Sequence, residues 1–146
     1  MKDNCTRIRM EYLLKIKKIV RSDNNGDKFI IVRTQKNKDF INKYSLTIMD
    51  IKNIILSLSI EDCFSGPEKD RDSQYGGWIF KYNPWFNNEM LYIKIRVEYI
   101  DKAVCISIHE FGKYDEVKKW KMYIAHIVEK MWIIKLKKDN LMFFVE

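Results

Sequence analysis

A strict two-residue alternation on both sides of a short polar break constrains this chain more than any other stretch. It runs from Glu89 to Glu110, EMLYIKIRVEYIDKAVCISIHE. Leu91, Ile93, Ile95, Val97 and Tyr99 alternate with Tyr92, Lys94, Arg96 and Glu98, the pattern of a strand with one buried face. After Asp101-Lys102, Val104, Ile106 and Ile108 alternate with Cys105, Ser107 and His109, so a β-hairpin is expected. With Asp101-Lys102 as a two-residue loop, Ile100 faces Ala103, Ile95 pairs with Ile108 and Val97 with Ile106, which brings the apolar sets onto one face. The same register sets Lys94 against His109 and Arg96 against Ser107, with Tyr92 close by. That second face joins a residue that titrates near neutral pH to two fixed cations and a phenol. Exposed strand faces also carry such residues for solubility, so the pattern alone leaves a chemical site and a solvated surface both open.

At 146 residues, 47% apolar and 14% aromatic, the chain is long and apolar enough for one ordinary domain, and its composition excludes a disordered one. The formal net charge of +7 suits a polyanionic partner without requiring one. Cys5, Cys63 and Cys105 are odd in number and lack CxxC spacing, and there are two histidines, His109 and His126. A disulfide framework or a zinc site of the usual kind is not expected, and reduced cytoplasmic thiols are the simplest account. The N-terminal MKDNCTRIRMEY has no apolar signal core, and no apolar run reaches the length of a bilayer span, so no membrane role is expected.

Along the chain, Ile8, Met10, Leu13, Leu14, Ile16, Ile19 and Val20 mark an amphipathic helix over Arg7 to Arg21, stopped by Ser22-Asp23-Asn24-Asn25-Gly26-Asp27. Phe29 to Val32 reads as a strand, Arg33 to Lys38 as a basic loop, and Asp39 to Lys43 as a second short helix. Thr47 and Asp50 form a capping-box start for a third helix carrying Ile48, Ile51, Ile54, Ile55 and Leu58. Gly66-Pro67 and mixed charge make Ile60 to Asp72 a loop, Trp78 to Tyr82 a strand, and Asn83 to Asn88 the turn into the hairpin. Asp115 to Lys135 has helical spacing with one broad apolar face, Trp120 and Trp132 are read as core packing with a dimer or antitoxin surface as the alternative, and Leu141 to Val145 reads as a last strand. The expected architecture is α+β, with N-terminal helices on one face of an antiparallel sheet and an additional C-terminal helix. It is read as a single domain over residues 1–146, a 1–110 core with a 111–146 extension, and its second sheet face as free.

The run Leu56-Ser57-Leu58-Ser59-Ile60-Glu61-Asp62-Cys63-Phe64-Ser65-Gly66-Pro67, followed by Gly77-Trp78-Ile79-Phe80, Leu91-Tyr92-Ile93-Lys94-Ile95 and Val104-Cys105-Ile106-Ser107-Ile108-His109-Glu110, resembles the MqsR family of type II toxins. The likeness spans roughly Ile8 to Glu110. It implies a RelE-like fold and a small mRNA endoribonuclease silenced by a cognate antitoxin. In the family, a loop Lys, a strand Gln, the Tyr of a Tyr-x-Lys segment and a Lys before Glu form the functional set. By position these become Ser65, Phe80, Tyr92 and His109, so the loop cation and the Gln are replaced here. Lys69 and Arg71 lie in the same loop as candidate replacements for the cation.

Under this reading, catalysis falls to His109, Tyr92 and Lys94, and phosphate binding to Arg96, Arg71, Lys69 and Lys81, with no metal and no cofactor. Cleavage then takes a proton from the 2′-hydroxyl, holds the charge growing on phosphate with cations, and yields a 2′,3′-cyclic phosphate. Trp85 and Phe86 are candidates for stacking on bases, or for the core. The expected partners are mRNA and an antitoxin protein, and the assembly a homodimer or a toxin–antitoxin hetero-oligomer. The alternative is a catalytically degenerate RNA-binding or protein-interaction module using the same basic face.

Overall fold

In the computed structural model, which describes residues 3–71, 76–99, 101–114 and 117–145 and, in the last of these stretches, side chains at 124–138, the first periodic segment forms α1, Asn4–Ser22. The Asp3 side chain caps it by accepting the Thr6 N–H at 2.7 Å. Leu13, Ile16, Ile19 and Val20 recur at three- and four-residue steps and are all buried, so one stripe of α1 enters the core. Asp72, Ile100 and Asp115 of the sequence reading lie outside the described residues.

Asp23 does more than end α1. Its carboxylate accepts the N–H groups of Lys28 and Phe29 and pairs with the Lys52 ammonium at 2.9 Å, which ties the following loop to the third helix. β1, Phe29–Ile31, follows, and then α2, Gln35–Lys43. The helix therefore begins four residues before Asp39, inside the expected basic loop. The Thr34 hydroxyl, accepting the Asn37 N–H, is the cap that the charge run concealed. α3, Ile48–Leu56, starts as expected at Thr47, with both halves of the Thr47–Asp50 capping box formed.

The expected loop after α3 is instead a short 3-10 turn, Ile60–Asp62, and an irregular edge strand, β2, Cys63–Lys69. Two register shifts against the next strand accommodate Gly66-Pro67, which is tolerated at an edge. Gly66 is required there: at φ +117° an added Cβ would stand 2.7 Å from the Ile79 carbonyl oxygen. β3 is Trp78–Tyr82 as read from the sequence. A short β4, Trp85–Phe86, turns back through Asn87-Asn88, both left-handed at φ 47° and 63°, into β5, Glu89–Glu98.

β5 and β6, Lys102–Glu110, form the central hairpin, but not in the expected register. Glu98 pairs with Lys102, so the connection is residues 99–101, and Tyr99, counted among the apolar set, stands 68% exposed. Val97 then faces Ala103 and Ile95 faces Cys105. A bulge follows, after which Lys94 faces Ser107, Ile93 faces Ile108 and Tyr92 faces His109. Cys105 is consequently in the core at 0% exposure, and Val104 on the opposite face, the reverse of the simple alternation. The extra residue restores the parity that the longer turn had inverted, and so Ile108 still points inward.

The sheet has six strands in the order β1-β6-β5-β3-β2, with β4 beside β5. β1 runs parallel to β6, which makes the sheet mixed rather than antiparallel. Inward side chains of β3, β5 and β6, including Phe80, Tyr82, Leu91, Ile93, Ile95 and Ile108, pack against buried residues of the three helices. These helices lie on one face, as the order of elements implied.

Two units are distinguished in the chain, Met1–Glu110 and Phe111–Glu146. The second contains α4, Val117–Val145, so Leu141 to Val145 is helix rather than a last strand. Nothing between Lys135 and Leu141 breaks a helix, since Gly and Pro are absent there. The Val117, Trp120 and Tyr123 side chains lie outside the described set. Ile124, Val128, Met131, Trp132, Ile133, Ile134 and Leu136 are exposed, Trp132 at 59%, which corrects its assignment to a packed face. Four of them are consecutive and encircle the helix instead of marking one stripe. Among the described residues, no helix is long and apolar enough to cross a membrane.

Candidate functional site

The sheet face turned away from the three helices is organised in rows across the strands. One row runs Ser65, Lys81, Lys94, Ser107, and the next Glu68, Ile79, Arg96, Val104. Tyr92 and His109 are a direct cross-strand pair at the head of the face. Their rings stack with centroids 5.2 Å apart at 21°, and Phe64 adds a third ring 6.2 Å from Tyr92. The face is not open as expected: His109 is 4% exposed and Tyr92 6%, with Ile79 and Val104 similarly buried.

His109 is oriented by its own backbone. Nδ1 lies 2.9 Å from the Glu110 carbonyl oxygen, which can only accept, so Nδ1 carries a proton and donates it there. What brings His109 to this face is the β6 bulge, and what holds the bulge is Asn37 of α2. The Asn37 amide donates to the carbonyls of Val32 and Ile106 at 2.7 and 3.0 Å, and its oxygen accepts the Ile108 N–H at 2.9 Å. Past Cys105, β1 no longer covers the edge of β6, and this one buried side chain replaces it.

The cations divide into three groups. Lys81 and Lys94 face each other on neighbouring strands, beside the Tyr92–His109 pair. Glu68 Oε1 lies 3.5 Å from Lys81 Nζ and is also hydrogen-bonded by the Ser65 hydroxyl. Burial raises the Glu68 pKa, but Ser65, Lys81 and Lys94 outweigh it and hold the carboxyl below its usual range. Arg96 belongs to the same face but is engaged, with Nη1 3.0 Å from Asp70 and Nη2 2.9 Å from Glu98. Two carboxylates against one guanidinium leave that corner of the face neutral or negative. Lys69 pairs with Trp78 and so belongs to the helix-covered face, and Arg71 is exposed beyond the end of β2. The structure thus gathers Tyr92, His109, Lys94 and Lys81, and separates Lys69 and Arg71 from them.

Phe80 and Ser65 stand where the resemblance to the MqsR family implies a Gln and a Lys. Phe80 is 0% exposed and points into the core, so its position offers nothing to this face, whereas the adjacent Lys81 does. Ser65 is a direct neighbour of Lys81 at the end of the lysine row.

Asn83 is a residue that sequence reasoning missed, having placed it in a turn. It stands between the Tyr82–Ile93 pair and the Leu91 N–H bonded to the Pro84 carbonyl, hence opposite Tyr92. It is 0% exposed, and neither its amide nitrogen nor its amide oxygen has a partner. An Asn before Pro reads as a turn signal, and only the register shows otherwise. Of the two aromatics proposed for stacking, Phe86 packs edge-on against Phe40 and Tyr44, while Trp85 is 61% exposed. No cluster of His, Cys, Asp and Glu suited to a metal occurs among the described residues. Comparison of the chain with protein-family models, curated proteins and solved structures gives no match.

Proposed function

We propose that the chain is a metal-independent endoribonuclease, an mRNA interferase of the RelE-like, MqsR-like kind, that acts in the cytoplasm and is silenced by a cognate antitoxin. The observation that carries the reading is the Lys81–Lys94 pair set directly beside a stacked Tyr92–His109 pair. Two lysines opposite each other on a sheet repel, and a phosphodiester bridging them relieves that repulsion. Glu68 fills this role in the free protein, and from an edge strand it can give way to a phosphate.

In this mechanism His109 Nε2 takes the 2′-hydroxyl proton, and the resulting oxygen attacks the adjacent phosphorus. Lys81 and Lys94 hold the negative charge that grows on the phosphate oxygens. The bond to the 5′-oxygen breaks, leaving a 2′,3′-cyclic phosphate and a 5′-hydroxyl, with the Tyr92 hydroxyl positioning the group and returning a proton. Arg96 takes no part as a phosphate ligand, since its terminal nitrogens are held by Asp70 and Glu98.

A second reading is favoured by the burial of both rings and by the neutralised Arg96: a catalytically silent RNA-binding or protein-interaction module on the same face. One assay separates the two. A long purified RNA is incubated in EDTA without ribosomes with wild type, His109→Ala, and the double variant Lys81→Ala, Lys94→Ala. Cuts at a repeated short motif that fall about a hundredfold or more in both variants support the nuclease. RNA that remains intact with wild type but is bound in a salt-dependent way supports the module.

A further inference from the structure

β1 is the end strand of the sheet, and it leaves a backbone edge for another chain to use. The Lys28 carbonyl accepts the Ala103 N–H and the Val32 N–H donates to the Cys105 carbonyl, so even-numbered residues face β6. The Phe29 carbonyl and both backbone groups of Ile31 therefore point away from it. Along this edge, between β1, α2 and the start of α3, runs a cavity of about 480 Å3. Its apolar wall includes Ile31, Ile41, Leu46 and Ile48, and Arg33 and Lys38 stand on its rim. Ile48 is 62% exposed and its neighbour Met49 61%, side chains that a self-contained fold would cover.

We propose that this groove docks an extended peptide segment of a partner protein, added as a strand beside β1 and acidic at its ends. A free strand edge supplies main-chain hydrogen bonds, and an apolar trough beside it accepts every second side chain, the two requirements of strand addition. The rim decides the charge: Arg33 and Lys38 are both exposed, and Lys28 and Lys43 are exposed nearby. A second copy of this chain, paired edge to edge, would set those cations against their own symmetry mates. An acidic segment meets them instead. The proposal stands independently of the nuclease reading, because the groove lies on the helix-bearing side of β1 and uses none of Tyr92, Lys94 or His109.

The test uses the full chain and a labelled nine-residue peptide of alternating valine and threonine with two acidic residues at each end. Saturable binding by fluorescence anisotropy is expected, together with slowed hydrogen exchange of the Ile31 amide. Ile31→Pro removes the outward N–H, which no ladder bond uses, together with one side chain of the groove wall, and should weaken binding about tenfold or more. Ile48→Asp, at an exposed position in the first turn of α3, should weaken it similarly. Exchanging both rim cations in Arg33→Glu, Lys38→Glu should reverse the preference toward the same peptide with lysine ends. No wild-type binding at about 1 mM peptide, or equal binding by all three variants, overturns the proposal. So does protection of Ile31 by self-association alone, or displacement of the peptide by a single-stranded oligonucleotide.

Discussion

Asn37 shows how much a single polar side chain carries. Its three hydrogen bonds satisfy one N–H and two carbonyls that the β6 bulge and the end of β1 would otherwise bury without partners. Asn37→Ala should cost about 3 kcal/mol in urea unfolding, and Asn37→Asp nearly as much, because a carboxylate cannot donate to Val32 and Ile106. If the nuclease reading holds, both should also lose cleavage, because His109 reaches its face through that bulge. Asp23 is the second such residue. Burial raises its pKa, but Lys52 and the backbone donors Lys28 and Phe29 outweigh this and hold it below the usual value of 3.8. A carboxyl depressed in the folded state adds stability above its unfolded pKa, and that stability is lost as pH falls through the folded one. Asp23→Asn should therefore be about 2–3 kcal/mol less stable than wild type at pH 7, with the gap narrowing below about pH 4. Arg96 was legible as a cation but not as a structural one. Arg96→Ala should lower the thermal midpoint markedly by removing the guanidinium that Asp70 and Glu98 share, whereas under the proposed nuclease reading Lys94→Ala should change RNA affinity more than stability.

Among the elements, those specified by local chemistry were the readable ones. The Thr47–Asp50 box announced α3, and Thr47→Ala should destabilise the protein by about 1 kcal/mol in chemical denaturation. Trp78 to Tyr82, flanked by Gly76-Gly77 and Asn83-Pro84, announced β3. Asn88, left-handed at φ 63° in the β4–β5 turn, invites Asn88→Gly, which should raise stability by about 0.5 kcal/mol. β2 was not readable, because an edge strand paired on one side tolerates the Gly, Pro and charges that mark a loop. The hairpin register was misread for a related reason. Alternation defines which residues share a face within a regular strand, but three residues in the turn and one in a bulge change the partner strand's register and, between Val104 and Ser107, its faces.

At the scale of the molecule, the buried hydrophobic cluster among the described residues runs from Leu13 to Ile108, all within the first unit. A chain ended after Glu110 should keep a cooperative thermal transition and native-like β content in circular dichroism, since no member of that cluster is removed. Under the proposed RNA-binding reading, the formal charge of +7 sets a further expectation: binding should weaken steeply between about 50 and 200 mM salt, with a slope that falls by about 2 when Lys81 and Lys94 are both replaced. Glu68→Gln should have the opposite effect and tighten binding, by removing the carboxylate that competes for the lysine pair.

By itself the sequence determined the parts whose cause is local: three amphipathic or capped helices, the β3 strand, the hairpin, and the α+β order that sets helices on one sheet face. It also singled out Tyr92, Lys94 and His109: a period of two sets Tyr92 and Lys94 on the polar face of β5, and on β6 the bulge offsets the longer turn so that His109 joins them. The tertiary structure decided which cations act together. Lys81 joins Lys94 because β3 pairs with β5, Arg96 is neutralised because β2 brings Asp70 beside it, and Lys69 leaves because the register shift between Ser65 and Glu68 turns it to the other face. Asn37 and Asn83, remote in sequence from the hairpin, become parts of its surroundings for the same reason. Charge and hydrogen bonding act over a few ångströms of space, and strand pairing, not chain order, sets those distances.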